Sequence, residues 1–270
     1  TPFGRRTFHA MGTLGRRRNI PGLLISHGSF GPIKNALEEK AWAFHSFGML
    51  HGSYTHAALQ SPLAEVFAKQ VVSKSEFVPT GPLAWGWKVD RNKLQGMRSA
   101  MLGENAGCRI IMHAGTPKPR GSIHFHVYET PDEYVEGIIE LIEAVEQVPN
   151  AFLVIKFRPA RITLADLHTL LPDSDRYMIS LDEPFLDVLG ITDLLVSFSS
   201  TTIEEALQNQ VPVLLYGAQG RYQHIEAFDV IPGVPVESRA VYSVRSPAGL
   251  PEGLQGILDA NGPSPLPEEL

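Results

Sequence analysis

Leu194-Leu-Val-Ser-Phe-Ser-Ser-Thr-Thr-Ile-Glu-Glu-Ala-Leu207 is where the fold can be read most directly. The stretch opens on an apolar run, Leu194 to Phe198, the pattern of a strand covered on both faces. Four hydroxyl residues, Ser199, Ser200, Thr201 and Thr202, then lead into a helical segment over 201–208. A helix start leaves backbone N–H groups unpaired and carries a partial positive charge. Small hydroxyl side chains there let an anion approach and add donors, so the position suits a phosphate. Glu204 and Glu205, one turn on, are placed to accept hydrogen bonds from ribose hydroxyls. A capping box explains part of the same pattern, with Ser200 or Thr201 as N-cap and a glutamate three residues later. It accounts for one hydroxyl and leaves three.

On either side of this stretch, strand and helix alternate. Strands are predicted at 109–113, 151–155, 177–180 and 211–216, and helices at 132–147, 164–171 and 184–189. The helix over 132–147 carries Tyr134, Ile138, Leu141, Ile142 and Val145 on one stripe. Such alternation builds a parallel sheet with helices on both faces. Two strand ends carry further candidates. Leu153-Val-Ile-Lys-Phe-Arg-Pro159 places Lys156 and Arg158 just before a proline that stops the strand. Arginine can grip phosphate oxygens with two parallel bonds, and lysine adds a point charge. Surface cations at a strand end are the plainer reading. Met112-His-Ala-Gly-Thr-Pro-Lys118 offers small residues and Thr116 beside a ligand, or a simple turn. His113 stands at a strand end, against a nucleotide or in packing. Gly217-Ala-Gln-Gly-Arg-Tyr-Gln-His224 places Arg221, Tyr222 and His224 to close over a ligand.

The first half is less regular. Short strands are predicted at 20–25, 47–50 and 77–82, and helices at 34–43 and 63–69. Residues 84–107 are polar and mixed and read as a connection. A short helix is expected near 250–258, before a Pro-rich tail. With 43% hydrophobic and 19% charged residues, the 270-residue chain has enough apolar area to fold. No run approaches the ~18 apolar residues of a membrane span. The single Cys108 excludes a disulfide scaffold and a multi-cysteine zinc site, and fits a reducing compartment. His124 and His126 lack a third ligand at a persuasive spacing, so no metal is expected. A net charge of −6 argues against nucleic-acid binding. Yet residues 1–37 hold Arg5, Arg6, Arg16, Arg17, Arg18 and Lys34 and no acid. That segment reads either as a basic face for an anionic membrane or acceptor, or as the solvated end of a chain fragment, since the sequence begins with Thr1.

Taken in order, His-Ala-Gly-Thr-Pro (113–117), Ile-Lys-Phe-Arg-Pro (155–159), the 193–207 stretch and Val-Pro-Val-Leu-Leu-Tyr-Gly (211–217) resemble the donor-binding domain of two-domain glycosyltransferases of the GT-B architecture. The resemblance is greatest to the surface-polysaccharide and CDP-glycerol glycerophosphotransferase-like branch. It extends to the nucleotide-sugar 2-epimerases, whose Asp-Ser-Gly-Gly-x-x-Glu-Glu loop matches 198–205 in spacing. Arg158 stands where that branch has the histidine of a His-Pro motif, and Phe198 where it has an aspartate.

The resemblance implies an α/β fold of two Rossmann-like lobes, the first lacking its beginning. The lobes would be an acceptor-side lobe with linker (1–106) and a nucleotide-donor lobe (107–235), followed by a C-terminal helix and tail (236–270). It implies metal-independent glycosyl transfer from a nucleotide-sugar to a glycan or lipid-linked acceptor, with no further cofactor. The expected place is the cytoplasm, with a peripheral contact at the inner face of the membrane through the Arg-rich segment. Thr116, Lys156, Arg158, Ser199 to Thr202, Glu204 and Glu205 would hold the donor. Met49-Leu-His-Gly-Ser-Tyr54 falls where the branch has a His-Gly facing the cleft, making His51 the candidate base. His27, in Ser26-His27-Gly28-Ser29, is the alternative. A 2-epimerase and a non-catalytic nucleotide- or glycan-binding lobe are the competing readings.

Overall fold

The computed structural model describes residues 6–26, 32–45, 50, 52–115, 129–159, 162–217 and 220–262. The chain forms two compact units, Thr1–Gly86 and Trp87–Leu270.

In the smaller unit, strands β1 (Leu23–Leu24), β2 (His56–Leu59) and β3 (Glu76–Pro79) form a parallel sheet in the order β1-β2-β3. Helices α1 (Arg6–Arg17), α2 (Ala36–His45) and α3 (Pro62–Ala68) belong to the same unit. Ser61 starts α3, its hydroxyl accepting from Ala64 N at 3.2 Å, and Pro62 supplies a preset first turn. Ala57, Ala58, Ala64 and Phe67 pack beneath it. The buried Gln60 ties the unit together, donating to Ser26 O at 2.5 Å and accepting from Ala84 N at 2.7 Å. The strand expected at 47–50 falls mostly outside the described residues. β2 escapes sequence reading because two alanines give its four residues little β character. Helix α1 escapes it because two glycines and three arginines dilute its periodicity.

The larger unit is a seven-stranded sheet in the order β6-β5-β4-β7-β8-β10-β9, every pair parallel. From the β6 edge inward its strands are β6 (Tyr177–Ser180), β5 (Ala151–Phe157), β4 (Arg109–Gly115), β7 (Leu194–Ser197) and β8 (Val213–Leu215). The other side is completed by β10 (Val241–Ser243) and the edge strand β9 (Phe228–Asp229). Alternate side chains go to opposite faces. Ile111, Leu153, Ile155, Leu194, Val196 and Leu214 meet helices α5 (Pro131–Glu146), α6 (Leu164–Leu170) and α9 (Leu250–Asn261). Ile110, Met112, Val154, Leu195 and Val213 meet α4 (Arg91–Leu102), α7 (Phe185–Gly190) and α8 (Thr202–Gln208). The α5 stripe is buried as its spacing predicts, behind a full capping box between Thr130 and Glu133.

Residues 87–106, read from the sequence as the end of the first lobe and its linker, cluster with this unit instead. The reason is α4: Leu94, Met97 and Met101 lie one turn apart and pack on the sheet, a stripe that the polar composition and Gly96 obscure. Residues 236–270 likewise contribute β10 and α9 to the same core.

At the amino ends of the strands, buried Asp193 accepts from Ile110 N at 2.7 Å and lies 3.6 Å from Arg98 and 3.5 Å from Arg109. Replacing it leaves two partly buried guanidiniums and one buried amide without their anion. Asp193→Ala should therefore lower the unfolding free energy by about 3 kcal/mol. Urea unfolding checks this. A loss well under about 1 kcal/mol would show the network to be peripheral to stability.

Candidate functional site

From β4 the chain winds outward through β5 and β6, then crosses to the other side of β4 with β7 and β8. Ligands of open parallel sheets bind beyond the carboxyl ends of the strands where the winding reverses. A cavity of about 570 Å³ lies there. Its wall is drawn from Ala114 and Gly115 at the end of β4, Lys156 to Pro159 at and just past the end of β5, Leu181, Glu183 and Pro184 after β6, Phe185 and Leu186 at the start of α7, and Ser200, Thr201, Thr202 and Glu205 around the start of α8. Ser197 holds the two diverging strand ends together, its hydroxyl donating to Ala114 O at 2.8 Å.

The β7–α8 turn is half-buried and open to this cavity. Thr201 sits at the N-cap in helical backbone (φ −63°, ψ −12°) and makes no side-chain cap bond, so the capping box is not formed. A cap hydroxyl needs an extended N-cap backbone to reach back to the second or third amide. Ser200 Oγ instead accepts from Thr202 N at 3.3 Å, and Thr202 Oγ1 lies 3.4 Å from Ser197 Oγ. Ser199 is half-buried and not part of the cavity wall.

The two cations differ. Lys156 Nζ donates to Leu181 O at 2.7 Å and Ser180 O at 3.4 Å, bracing the β6–α7 loop. Burial pulls its pKa down, against the nearby charges of Glu183 and Asp182. Glu183 is itself held by Ser180 Oγ at 2.6 Å, and that hydrogen bond keeps its carboxyl below the usual range. Arg158 is exposed on the cavity wall and has no ion-pair partner among the described residues.

The two adjacent glutamates part ways. Glu204 is buried on the far side of α8, its Oε1 3.0 Å from His224 Nε2. His224 Nδ1 lies 3.4 Å from the Tyr222 hydroxyl, and the Tyr222 ring meets Phe198 edge-on at 6.2 Å. His224 thus latches α8 from behind, with Tyr222 beside it. Arg221 pairs with Glu133 at 2.6 Å. Glu205 faces the cavity, and burial, aided by the charge of Glu204, pushes its pKa up to about 7. His113 is buried behind Gly115 with its ring 5.6 Å from that of Tyr134, and burial pulls its pKa down to about 4, so it is neutral.

One cavity therefore gathers Lys156, Arg158, Ser200, Thr201, Thr202 and Glu205. His27, His51, Thr116, His124 and His126 lie outside the described residues. Among the described residues no three His, Cys, Asp or Glu side chains are grouped to hold a metal ion. No described helix is long and apolar enough to cross a membrane.

No family model and no curated protein matches the chain. Solved structures do. HepE (Alr3699) of Anabaena, in complex with UDP and glucose, is 12% identical, with a TM-score of 0.50 over 92% of this chain and 65% of that one. A Listeria monocytogenes protein assigned as a UDP-N-acetylglucosamine 2-epimerase is 13% identical, with a TM-score of 0.52 over 97% and 67%. The wall teichoic acid polymerase TagF is 11% identical, with a TM-score of 0.45 over 77% and 50%. This chain spans about half to two thirds of the length of these structures. What is shared at such identity is the fold, the α/β architecture of parallel Rossmann-like sheets found in GT-B proteins.

The raised pKa of Glu205 has a sign that can be checked. Its folded value lies above the ordinary 4.5, so the fold favours the protonated form. That favourable contribution is complete below the unfolded pKa and is lost as pH rises toward about 7. Glu205→Gln should thus be more stable than the wild type at pH 8 and no more stable at pH 4, measured by urea unfolding at both. Equal differences at the two pH values would refute the assignment.

Proposed function

We propose that the β4–β7 crevice binds the nucleoside-diphosphate end of an activated sugar, and that the protein transfers the sugar to a glycan acceptor without a metal ion, in the synthesis of a surface polysaccharide. The observation carrying this reading is the convergence of Arg158, three hydroxyl residues and Glu205 on one cavity at the point where the sheet reverses its winding. The HepE structure, of like fold, contains UDP, which supports a nucleotide as the ligand.

Each group then has a task. Arg158 takes two phosphate oxygens in parallel charge-assisted bonds. The hydroxyls of Ser200, Thr201 and Thr202 donate to the remaining oxygens, and the start of α8 adds a small favourable dipole. Lys156 keeps the β6–α7 loop in place and contributes charge. Ionised Glu205 accepts from the ribose hydroxyls, whereas Glu204, committed to His224, holds the helix. In the reaction the acceptor oxygen bonds to the anomeric carbon, the bond from that carbon to phosphate oxygen breaks, and the nucleotide leaves with the electron pair. The crevice stabilises the negative charge growing on that leaving group. The proton of the acceptor hydroxyl goes to a base, for which His51 is the candidate and His27 the alternative.

A thermal-shift series against CMP-, CDP-, UDP- and GDP-linked sugars tests this, because a ligand of the native state alone raises its melting temperature. At least one should do so, more strongly at pH 8 than at pH 6 because Glu205 must be ionised to accept. Arg158→Ala should weaken that ligand by about 2 kcal/mol, roughly thirtyfold. No shift with any of them overturns the reading. His51→Ala should bind the donor normally and lose turnover; unchanged turnover removes His51 as the base. Release of free nucleotide and sugar with no acceptor present would favour a 2-epimerase.

A further inference from the structure

The smaller unit contains a separate cavity of about 690 Å³, whose wall includes Thr13, Arg16, Arg17, Ser53 and Lys74. It is a built feature rather than a chance gap between side chains. Helix α1 presses on the 52–54 turn at Gly12, where a Cβ would stand 3.0 Å from both the carbonyl carbon and Cβ of Ser53. The Arg16 guanidinium then fastens the two together, donating to Ser53 O at 3.3 Å, to Lys74 O at 3.4 Å and to Tyr54 O.

The chemistry of this wall is one-sided. Carbonyl groups fix Arg16 in place, but they leave its charge uncompensated. Arg17 and Lys74 are exposed, and neither has an ion-pair partner among the described residues. No carboxylate belongs to the lining. The acids nearest along the chain are engaged elsewhere: Glu38 accepts from Lys34 N and Asn35 Nδ2, and Glu76 lies 3.5 Å from His56. Three cations around one hollow repel one another, and the hydroxyls of Thr13 and Ser53 add neutral donors. A tetrahedral dianion relieves the repulsion and matches a guanidinium, an ammonium and hydroxyl donors together. In an acidic chain, such a concentration of positive charge without a carboxylate is a local choice, not the spill-over of a basic protein.

We propose that this cavity is a second anion site, which takes a phosphate group other than that of the nucleotide donor. Gly52 and Ser53 of its lining directly follow His51 in the chain. The site itself stands on its own geometry and does not depend on the donor reading. Phosphate of this kind is carried either by a soluble phosphorylated acceptor or by a lipid headgroup. Val72, which also lines the cavity, is almost wholly exposed, as lipid contact would require, and so the two sources have to be separated by experiment.

The test follows the side-chain Nε–H resonances of Arg16 and Arg17 by NMR during titration with inorganic pyrophosphate at physiological salt. A parallel arm measures co-sedimentation with phosphatidylglycerol-containing vesicles against pure phosphatidylcholine vesicles. The double variant Arg17→Glu/Lys74→Glu serves as control, since both side chains are exposed and Arg16, which holds the turn, is left intact. Its thermal unfolding verifies that it folds. Saturable movement of both arginine resonances in the wild type, with the affinity read from Arg16 weakened at least about tenfold in the double variant, establishes the site and a soluble source. Retention on anionic vesicles alone, lost in the double variant, establishes the site with a lipid headgroup as its source. Unmoved resonances with vesicle binding absent or indifferent to the double variant overturn the proposal. The nucleotide-sugar thermal shift of the larger unit is read separately in the same variant, so failure there bears on the donor site alone.

Discussion

A parallel sheet that reverses its winding between neighbouring strands leaves a gap at their carboxyl ends that neither crossover can cover. In this chain the gap lies between β4 and β7. It stays open because the Ser197 hydroxyl ties the two strands to each other through Ala114 O instead of letting a side chain fill the space. At the opposite ends Asp193 fixes the same two strands by bonding Ile110 N between Arg98 and Arg109. Both ends of the β4–β7 seam are thus polar clamps on a middle that is apolar but for the buried His113, and the crevice inherits its rigidity from them. Mobile binding groups would lose conformational freedom on meeting a ligand. Groups on strand ends held in this way have already lost it.

Glu204 and Glu205 show how one helix can divide two identical side chains between structure and chemistry. Consecutive helical residues point about 100° apart, so when one faces the cavity the next faces away from it. Glu204 points back, into contact with His224, and Tyr222 and Phe198 close the region around it. Glu205 points forward into a half-dry hollow, where burial and its neighbour's charge keep a proton on it near neutrality. Removing the histidine partner would leave Glu204 buried with neither oxygen satisfied, since Oε2 already has no hydrogen-bond partner among the described residues. The latch therefore belongs to the site in an indirect sense: it sets the phase of α8 and hence which glutamate lines the cavity.

Much of the larger unit was legible in the sequence because buried parallel strands are apolar without interruption and the helices between them keep a clear stripe. Leu194 to Ser197, Ala151 to Phe157 and the Tyr134-to-Val145 face are strong signals of that kind. The cations at the end of β5 could be placed because Pro159 stops the strand just beyond them. Other features depend on partners distant in sequence. β9 and β10 are two or three residues long and exist only because a seven-stranded sheet offers them an edge. Helix α4 reads as a connector until α7 supplies a surface for Leu94. The spacing of Glu204 and Glu205 put both near the helix start, but only the position of His224 some twenty residues on decides their directions. Lys156 looked like a phosphate ligand, and the carbonyls of Ser180 and Leu181, invisible in any local motif, make it a brace as well.

The charges follow the same economy of position. An acidic chain has no general field with which to collect anions, so it must hold them by local arrangement. At physiological salt, charges more than about 8 Å away are largely screened, and the overall −6 matters little inside a hollow whose own wall carries no carboxylate. In the larger unit Arg158 and three hydroxyl residues share the wall with two carboxylates, Glu205, whose pKa is raised to about 7, and Glu183, which the Ser180 hydroxyl holds. In the smaller unit Arg16, Arg17 and Lys74 meet that condition, since no carboxylate lines their cavity. Positive charge placed without nearby acids is costly to the folded state by itself, and an anion bound there would remove the cost.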